Sequence, residues 1–230
     1  MNIIKTATYW LFIICFPILI ITSTVRLGVS SVHLYEYGFH KYHISQVTGI
    51  DEVQLSQVAV MLTDYFNSRV ETPQIEVVNK HGEEFDLFHD YELIHLEDVK
   101  GLFHLDYRVQ LISLAYIIIY VLLFLFWRKG RWQDLAKGIW RGCILTLVLI
   151  AALGIVSIFG FERLFIQFHY LAFTNPYWML DPSKDYLIML FPGGFWQDVA
   201  LLGGGTIAGE ALFLGGIAWT VPFIYRRRKR

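Results

Sequence analysis

Four apolar runs punctuate this chain, at residues 8–24, 109–127, 139–159 and 199–225. A hydrocarbon core about 30 Å thick asks for roughly 20 apolar residues in a helix, so each run predicts a transmembrane helix. Between the first two, the pattern changes to that of a water-exposed fold. Residues 51–70 carry apolar side chains at helical spacing, with Asp51 placed as an N-cap. Residues 74–78 and 84–88 read as two short strands joined by a turn at residues 79–82, where Gly82 can take a positive φ. A helical pattern opens at Asp90 and runs into the second apolar run, weakened only by Gly101. Residues 160–198 interleave aromatics with His169, Asn175, Asp181, Asp185 and Asp198, a mixture suited to a membrane–water interface. The predicted fold class is therefore a membrane protein, mainly α: a four-transmembrane-helix bundle with a small extracytoplasmic α+β cap at residues 25–108.

Composition agrees, since 55% of residues are apolar and only 17% are charged. The net charge is −1, yet the charges are segregated. The loop at residues 128–138, its continuation to Arg141, and the tail at residues 226–230 hold more than half of the lysines and arginines. The positive-inside rule places both in the cytoplasm, which leaves residues 25–108 and 160–198 facing outward. Lys5 before the first run is also a signal-peptide feature, but Thr24-Val25-Arg26 is a poor cleavage site, so an uncleaved helix is expected. Cys15 and Cys143 both fall in apolar runs and give neither a disulfide framework nor a metal spacing. The basic tail is too short for nucleic-acid binding and fits contact with anionic headgroups.

All eight histidines lie outside the cytoplasmic segments. His33, His40, His43, His81 and His89 stand in contexts of ordinary solvated surface. His95 has Asp98 three residues on, hence on the same helix face, where a carboxylate can orient an imidazole. His104, nine residues after His95, falls on the opposite side. His169 follows the third apolar run as His95 precedes the second, so both are expected on one side of the membrane at similar height. Two imidazoles so placed can act as general base and general acid on a lipidic substrate. The plain alternative is a helix-surface pair for His95 and Asp98 and an interfacial ring for His169. His40-x-x-His43 has a ligand-like spacing, but H-E-x-x-H is absent, so neither a metal nor a cofactor is expected. Glu210, after the small-residue pattern Gly205 to Gly209, is a carboxylate inside an apolar run, where packing and function both remain open.

Several stretches carry a resemblance: His95-Leu96-Glu97-Asp98-Val99-Lys100; the third apolar run leading into FERLFIQFHYLAF; Trp178; Leu187 to Pro192; and Phe195-Trp196-Gln197-Asp198. In order and spacing they resemble the Lit-type lipoprotein intramolecular transacylases, over nearly the whole chain. Asn175-Pro176 and Gly193-Gly194 depart from that pattern. The resemblance implies an acyltransferase of the cell membrane that takes a diacylated lipoprotein. It moves the sn-2 acyl chain of the diacylglyceryl group to the α-amino group of the same N-terminal cysteine. It also implies His95 and His169 as the catalytic pair. Beside it we expect His169 as base, Asp98 orienting His95, and Arg163 stabilising an oxyanion or pairing with headgroups. The competing expectations are a membrane lipid hydrolase or intermolecular acyltransferase using the same histidines, and a non-catalytic membrane module.

Overall fold

The computed structural model describes residues 3–69, 72–73, 75–127 and 131–228. In chain order the elements are α1 (Ile3–Val29), α2 (Val32–Lys41), α3 (Ile44–Thr48), α4 (Glu52–Asn67), β1 (Glu76–Val78), β2 (Glu84–Asp86), α5 (Asp90–Leu122), α6 (Trp132–Ala172), α7 (Tyr186–Leu190) and α8 (Gly193–Arg228). A π-helical turn, Leu123–Trp127, follows α5. The residues fall into two compact units, one of Met1–Val25, Leu105–Ile155 and Leu202–Arg230, the other of Arg26–His104 and Val156–Leu201.

The first unit holds the apolar stretches of α1, α5, α6 and α8, the four helices long and apolar enough to cross a membrane. This is the multi-pass architecture the hydropathy pattern predicts. Their packing is set by rings against glycines. Phe12 is fully buried, stacks on Tyr120 with centroids 4.5 Å apart, and meets Phe16 edge-on. A Cβ on Gly138 would stand 2.8 Å from the Phe12 ring, and one on Gly142 would stand 2.7 Å from Phe16 Cβ. Only glycine lets α6 approach α1 so closely. A second cluster joins Ile20, Cys143, Ile207 and Ala211. Thr22 and Thr146 are buried, and their hydroxyls donate to carbonyls one turn back, at 2.7 and 2.9 Å. That spares each an unsatisfied polar group in an apolar interior. Ile112, Leu212 and Phe213 stay exposed, as side chains do that face lipid.

The second unit has its own apolar core, contributed by α2, α4, the hairpin, the start of α5, α7 and the start of α8. The expected cap of α4 is present, with Asp51 Oδ1 accepting from Gln54 N at 2.9 Å. Gln54 also continues the hairpin. Its side-chain amide donates to Val78 O at 3.0 Å and accepts from Val78 N at 2.7 Å, so it stands in for a third strand at the edge of β1. The hairpin pairs Glu76 with Asp86, Val77 with Phe85 and Val78 with Glu84, and Gly82 at φ 81° closes its turn. Both strands are shorter than the sequence pattern predicts, and Gln74 lies outside the described residues, as do residues 128–130 of the expected loop and 229–230 of the tail. Two features differ from expectation. Residues 25–48, given no element in advance, form the end of α1 and then α2 and α3. Residues 160–198 are mostly helical: α6 resumes after a non-helical Gly160 and runs to Ala172, and α8 already begins at Gly193. The start of α8 is held on α2, where Asp198 accepts from Lys41 Nζ at 2.6 Å and from Tyr42 Oη at 2.8 Å.

Candidate active site

His95 lies in α5, four helical turns before residues 109–127, and His169 in the last turn of α6. The second unit brings them together. Their ring centroids are 5.9 Å apart, with an interplanar angle of 38°. The exposures are 6% and 8%, so both imidazoles are nearly dry. One small group placed between the rings can touch both.

Each ring has a defined hydrogen-bonding state. His169 Nδ1 lies 2.7 Å from the Phe165 carbonyl one turn back, which can only accept. The proton is therefore on Nδ1, and Nε2 carries the free lone pair. His95 Nδ1 is buried without a hydrogen-bond partner. Such an atom costs free energy unless something else meets it, which a substrate can do. Burial pushes the His95 imidazole down to about 4; His169 beside it pushes the same way, and the Asp98 carboxylate opposes them. Burial also lowers His169, against the pull of its hydrogen bond to Phe165. Both rings are thus neutral at physiological pH, the form in which a base can take a proton.

The walls are aromatic. Around His169 stand Phe165 at 4.3 Å, Trp178 at 5.2 Å, Phe173 at 5.5 Å and Phe168 at 5.6 Å between centroids. Phe173 also meets His95 edge-on at 4.9 Å. The segment that carries Phe173 and Trp178, and the one that follows it, are tied to α5 at residues 92, 95 and 98. Asn175 Nδ2 donates to Asp98 Oδ2 at 2.7 Å. The fully buried Glu92 accepts from His89 Nδ1 and from Leu187 N, at 2.7 and 2.8 Å. Asp185, 1% exposed, accepts from Tyr91 Oη and, at 2.7 Å, from Asp181 N.

The expected partners fare differently from the pair. Asp98 is one turn from His95 and acts on it through space, but its carboxylate accepts from Asn175 Nδ2. Arg163 is exposed, and its six-residue offset from His169 puts it on another face of α6, so the structure does not bring it to the rings. His104 Nε2 donates to Phe66 O over 3.1 Å, which ties α5 to α4. His40 and His43 border a separate cavity of about 240 Å³ with Glu36 and Glu52. Among the described residues, only His89, Glu92 and Asp185 gather three ligand-type atoms within 4.8 Å, and their carboxylates are already engaged by N–H and O–H donors. The sequence pattern missed this clasp. Its trace was the spacing of residues 89, 92, 95 and 98, which repeats every three from just before α5 into its third turn.

Fold and site together define a multi-pass helical membrane protein in which one compact unit buries two neutral imidazoles side by side. The description of lipoprotein intramolecular transacylase Lit matches residues 10–196, and the chain belongs to that family. Its fold is similar to that of the membrane-integral lipoprotein intramolecular transacylase Lit from Bacillus cereus. That match covers 100% of both chains at a TM-score of 0.80 and 19% identity, a likeness of fold. Two further structures of that protein, with a histidine replaced by arginine or by alanine, match at a TM-score of 0.76 each, again at 19% identity and covering 98% and 99% of this chain and 95% and 96% of theirs. An uncharacterized protein of Aquifex aeolicus (strain VF5) is 32% identical over 116 residues, which span 50% of this chain and about half (48%) of that protein.

Proposed function

We propose that this chain is a lipoprotein intramolecular transacylase that carries the sn-2 acyl chain of a diacylglyceryl group to the α-amino group of the same cysteine. Family membership supports the activity. The observation that supports the residue roles is the buried, aromatic-walled His95–His169 pair with ring centroids 5.9 Å apart.

The reaction exchanges an ester for an amide and needs no external energy source. The amine has an ordinary pKa of about 8, so it must lose a proton as it attacks. His169 Nε2, the free lone pair, takes that proton. The nitrogen bonds to the ester carbonyl carbon, and the tetrahedral intermediate places negative charge on the carbonyl oxygen. His95, whose Nδ1 is otherwise unpartnered, meets that oxygen with an N–H or the amine with its lone pair. The carbon–oxygen bond to glycerol then breaks, and the proton held on His169 passes to the departing glyceryl oxygen. Atoms and charges balance, and product and substrate are isomers. Donor and acceptor belong to one molecule, so holding them in contact replaces much of the chemical activation; effective molarities on the order of 10⁵ M are reached in such reactions. Asp98 and Asn175 position the wall rather than reach the substrate. Arg163, standing apart, serves headgroup contact.

The site works on the extracytoplasmic side, a placement supported by the basic residues at 128–141 and 226–230. The membrane supplies the substrate's surroundings, and no nucleic acid or cofactor enters. The test is mass spectrometry of a diacylated lipopeptide incubated with purified protein. Acyl migration leaves the mass unchanged and moves the chain to the N-terminal fragment. Hydrolysis loses a fatty acid, and transfer from phospholipid adds one. His95→Ala and His169→Ala, each folded, abolish migration; full activity in both removes the imidazoles from the mechanism.

A further inference from the structure

A base that gains a proton inside a dry site needs something to stabilise the charge. In many acyl-transfer sites a carboxylate hydrogen-bonded to the imidazole does this. Here, among the described residues, no carboxylate is hydrogen-bonded to His169. Its Nδ1 goes to the neutral Phe165 carbonyl, and Asp98 is held by Asn175. Among the described residues, three phenylalanine rings and one indole stand within 6 Å of the His169 ring: Phe165, Phe168, Phe173 and Trp178. Aromatic faces carry negative charge density and attract a cation at such distances, tryptophan most strongly. The attraction is small for a neutral imidazole and large for an imidazolium, so it acts only after the proton has moved. An interaction stronger in the transition state than in the ground state is one that raises the rate.

From this geometry we propose that Trp178 stabilises the imidazolium that forms on His169 during acyl transfer, in the place a carboxylate takes elsewhere. Trp178 is a positioning residue that acts through His169. Its ring lies 5.2 Å from His169 at a tilt of 41°, and Tyr170 meets it edge-on at 4.9 Å, which fixes its orientation. The proposal rests on the reading that His169 is the base.

The experiment replaces Trp178 in the full-length protein with 5-fluoro-, difluoro- and tetrafluorotryptophan by site-specific incorporation. Fluorine withdraws charge from the ring face while nearly preserving its shape. The protein is assayed in detergent on a diacylated lipopeptide. The expected result is a stepwise decline of kcat with each added fluorine, to roughly ten-fold at tetrafluorotryptophan, with KM and thermal midpoint unchanged. A kcat that stays flat across the series overturns the proposal, and so does a loss complete at the first fluorine, which marks packing. His169→Ala is run beside the series. If that variant keeps full activity, the base assignment itself has failed, whatever the fluorine series does.

Discussion

Acid should weaken this fold through His95 in a way a single substitution can isolate. The ring is 6% exposed, and among the described residues its Nδ1 has no partner and no carboxylate is hydrogen-bonded to it. Its native pKa is pushed down to about 4, against about 6.5 in an unfolded chain. The sign follows directly. Above the unfolded pKa both states leave the ring neutral, and the native state has its full stability. As pH falls below about 6.5 the unfolded chain binds a proton that the native state refuses, so stability drains until pH reaches about 4. Between pH 7 and pH 5 the loss from His95 comes to about 2 kcal/mol. His169, lowered in the same direction, adds to it. For a chain of this size that corresponds to a fall of roughly 4 to 8 °C in thermal midpoint. His95→Phe keeps a ring against Phe173 and removes the titration. Thermal unfolding of both proteins in one detergent, at pH 7 and pH 5, should show the variant losing about 2 kcal/mol less than the parent. Equal pH dependence in the two proteins would refute the claim that His95 is buried uncharged.

Other consequences are as direct. Glu92→Gln sets an amide NH2 either against the two His89 donors that meet at Oε2 or against Leu187 N at Oε1, and should cost about 2–3 kcal/mol, read as a lower thermal midpoint; an unchanged midpoint would mean the clasp is dispensable. Asn175→Ala frees Asp98 from the wall segment, and a loss of about 1–2 kcal/mol in transition-state stabilisation should appear in kcat/KM of lipopeptide conversion. Gly38→Ala drives a Cβ into the ring of the buried Phe195 and should destabilise by about 1–3 kcal/mol. Gly101→Ala, with nothing within 4 Å of its Cβ and a helical backbone, should stabilise by about 0.5–1 kcal/mol; chemical or thermal unfolding of the two alanine variants separates the cases.

Much of this molecule is written in its sequence at the level of pattern. The four apolar runs, the Asp51 cap, the Gly82 turn and the unbroken helix from Asp90 are local or periodic signals, and each has its counterpart in the structure. Residues 32–48 were silent because α2 and α3 are short and mix polar with aromatic positions. The last turns of α6 looked like an interfacial segment because Gly160 interrupts the apolar period while the helix resumes beyond it. For the site, His95 and His169 stood out by position and family resemblance, but their separation belongs to tertiary structure. So does the fate of Asp98. Its spacing from His95 predicts an orienting bond, yet Asn175, 77 residues away, claims the carboxylate. Arg163 was near His169 in sequence but six residues is not a helical repeat. The Glu92 clasp could not be read in advance because two of its donors, His89 N and Leu187 N, are backbone N–H groups, which no side-chain pattern reports.

The most direct test of the account is a crossover experiment. Two diacylated lipopeptides are mixed, one with an isotopically labelled sn-2 chain and the other with a labelled peptide, and the N-acylated products are sequenced by tandem mass spectrometry. The predicted result is that every labelled acyl chain ends on the peptide it started with, at parental mass, and that His169→Ala forms no such product. Acyl chains exchanged between the two peptides, or released as free acid, would contradict it.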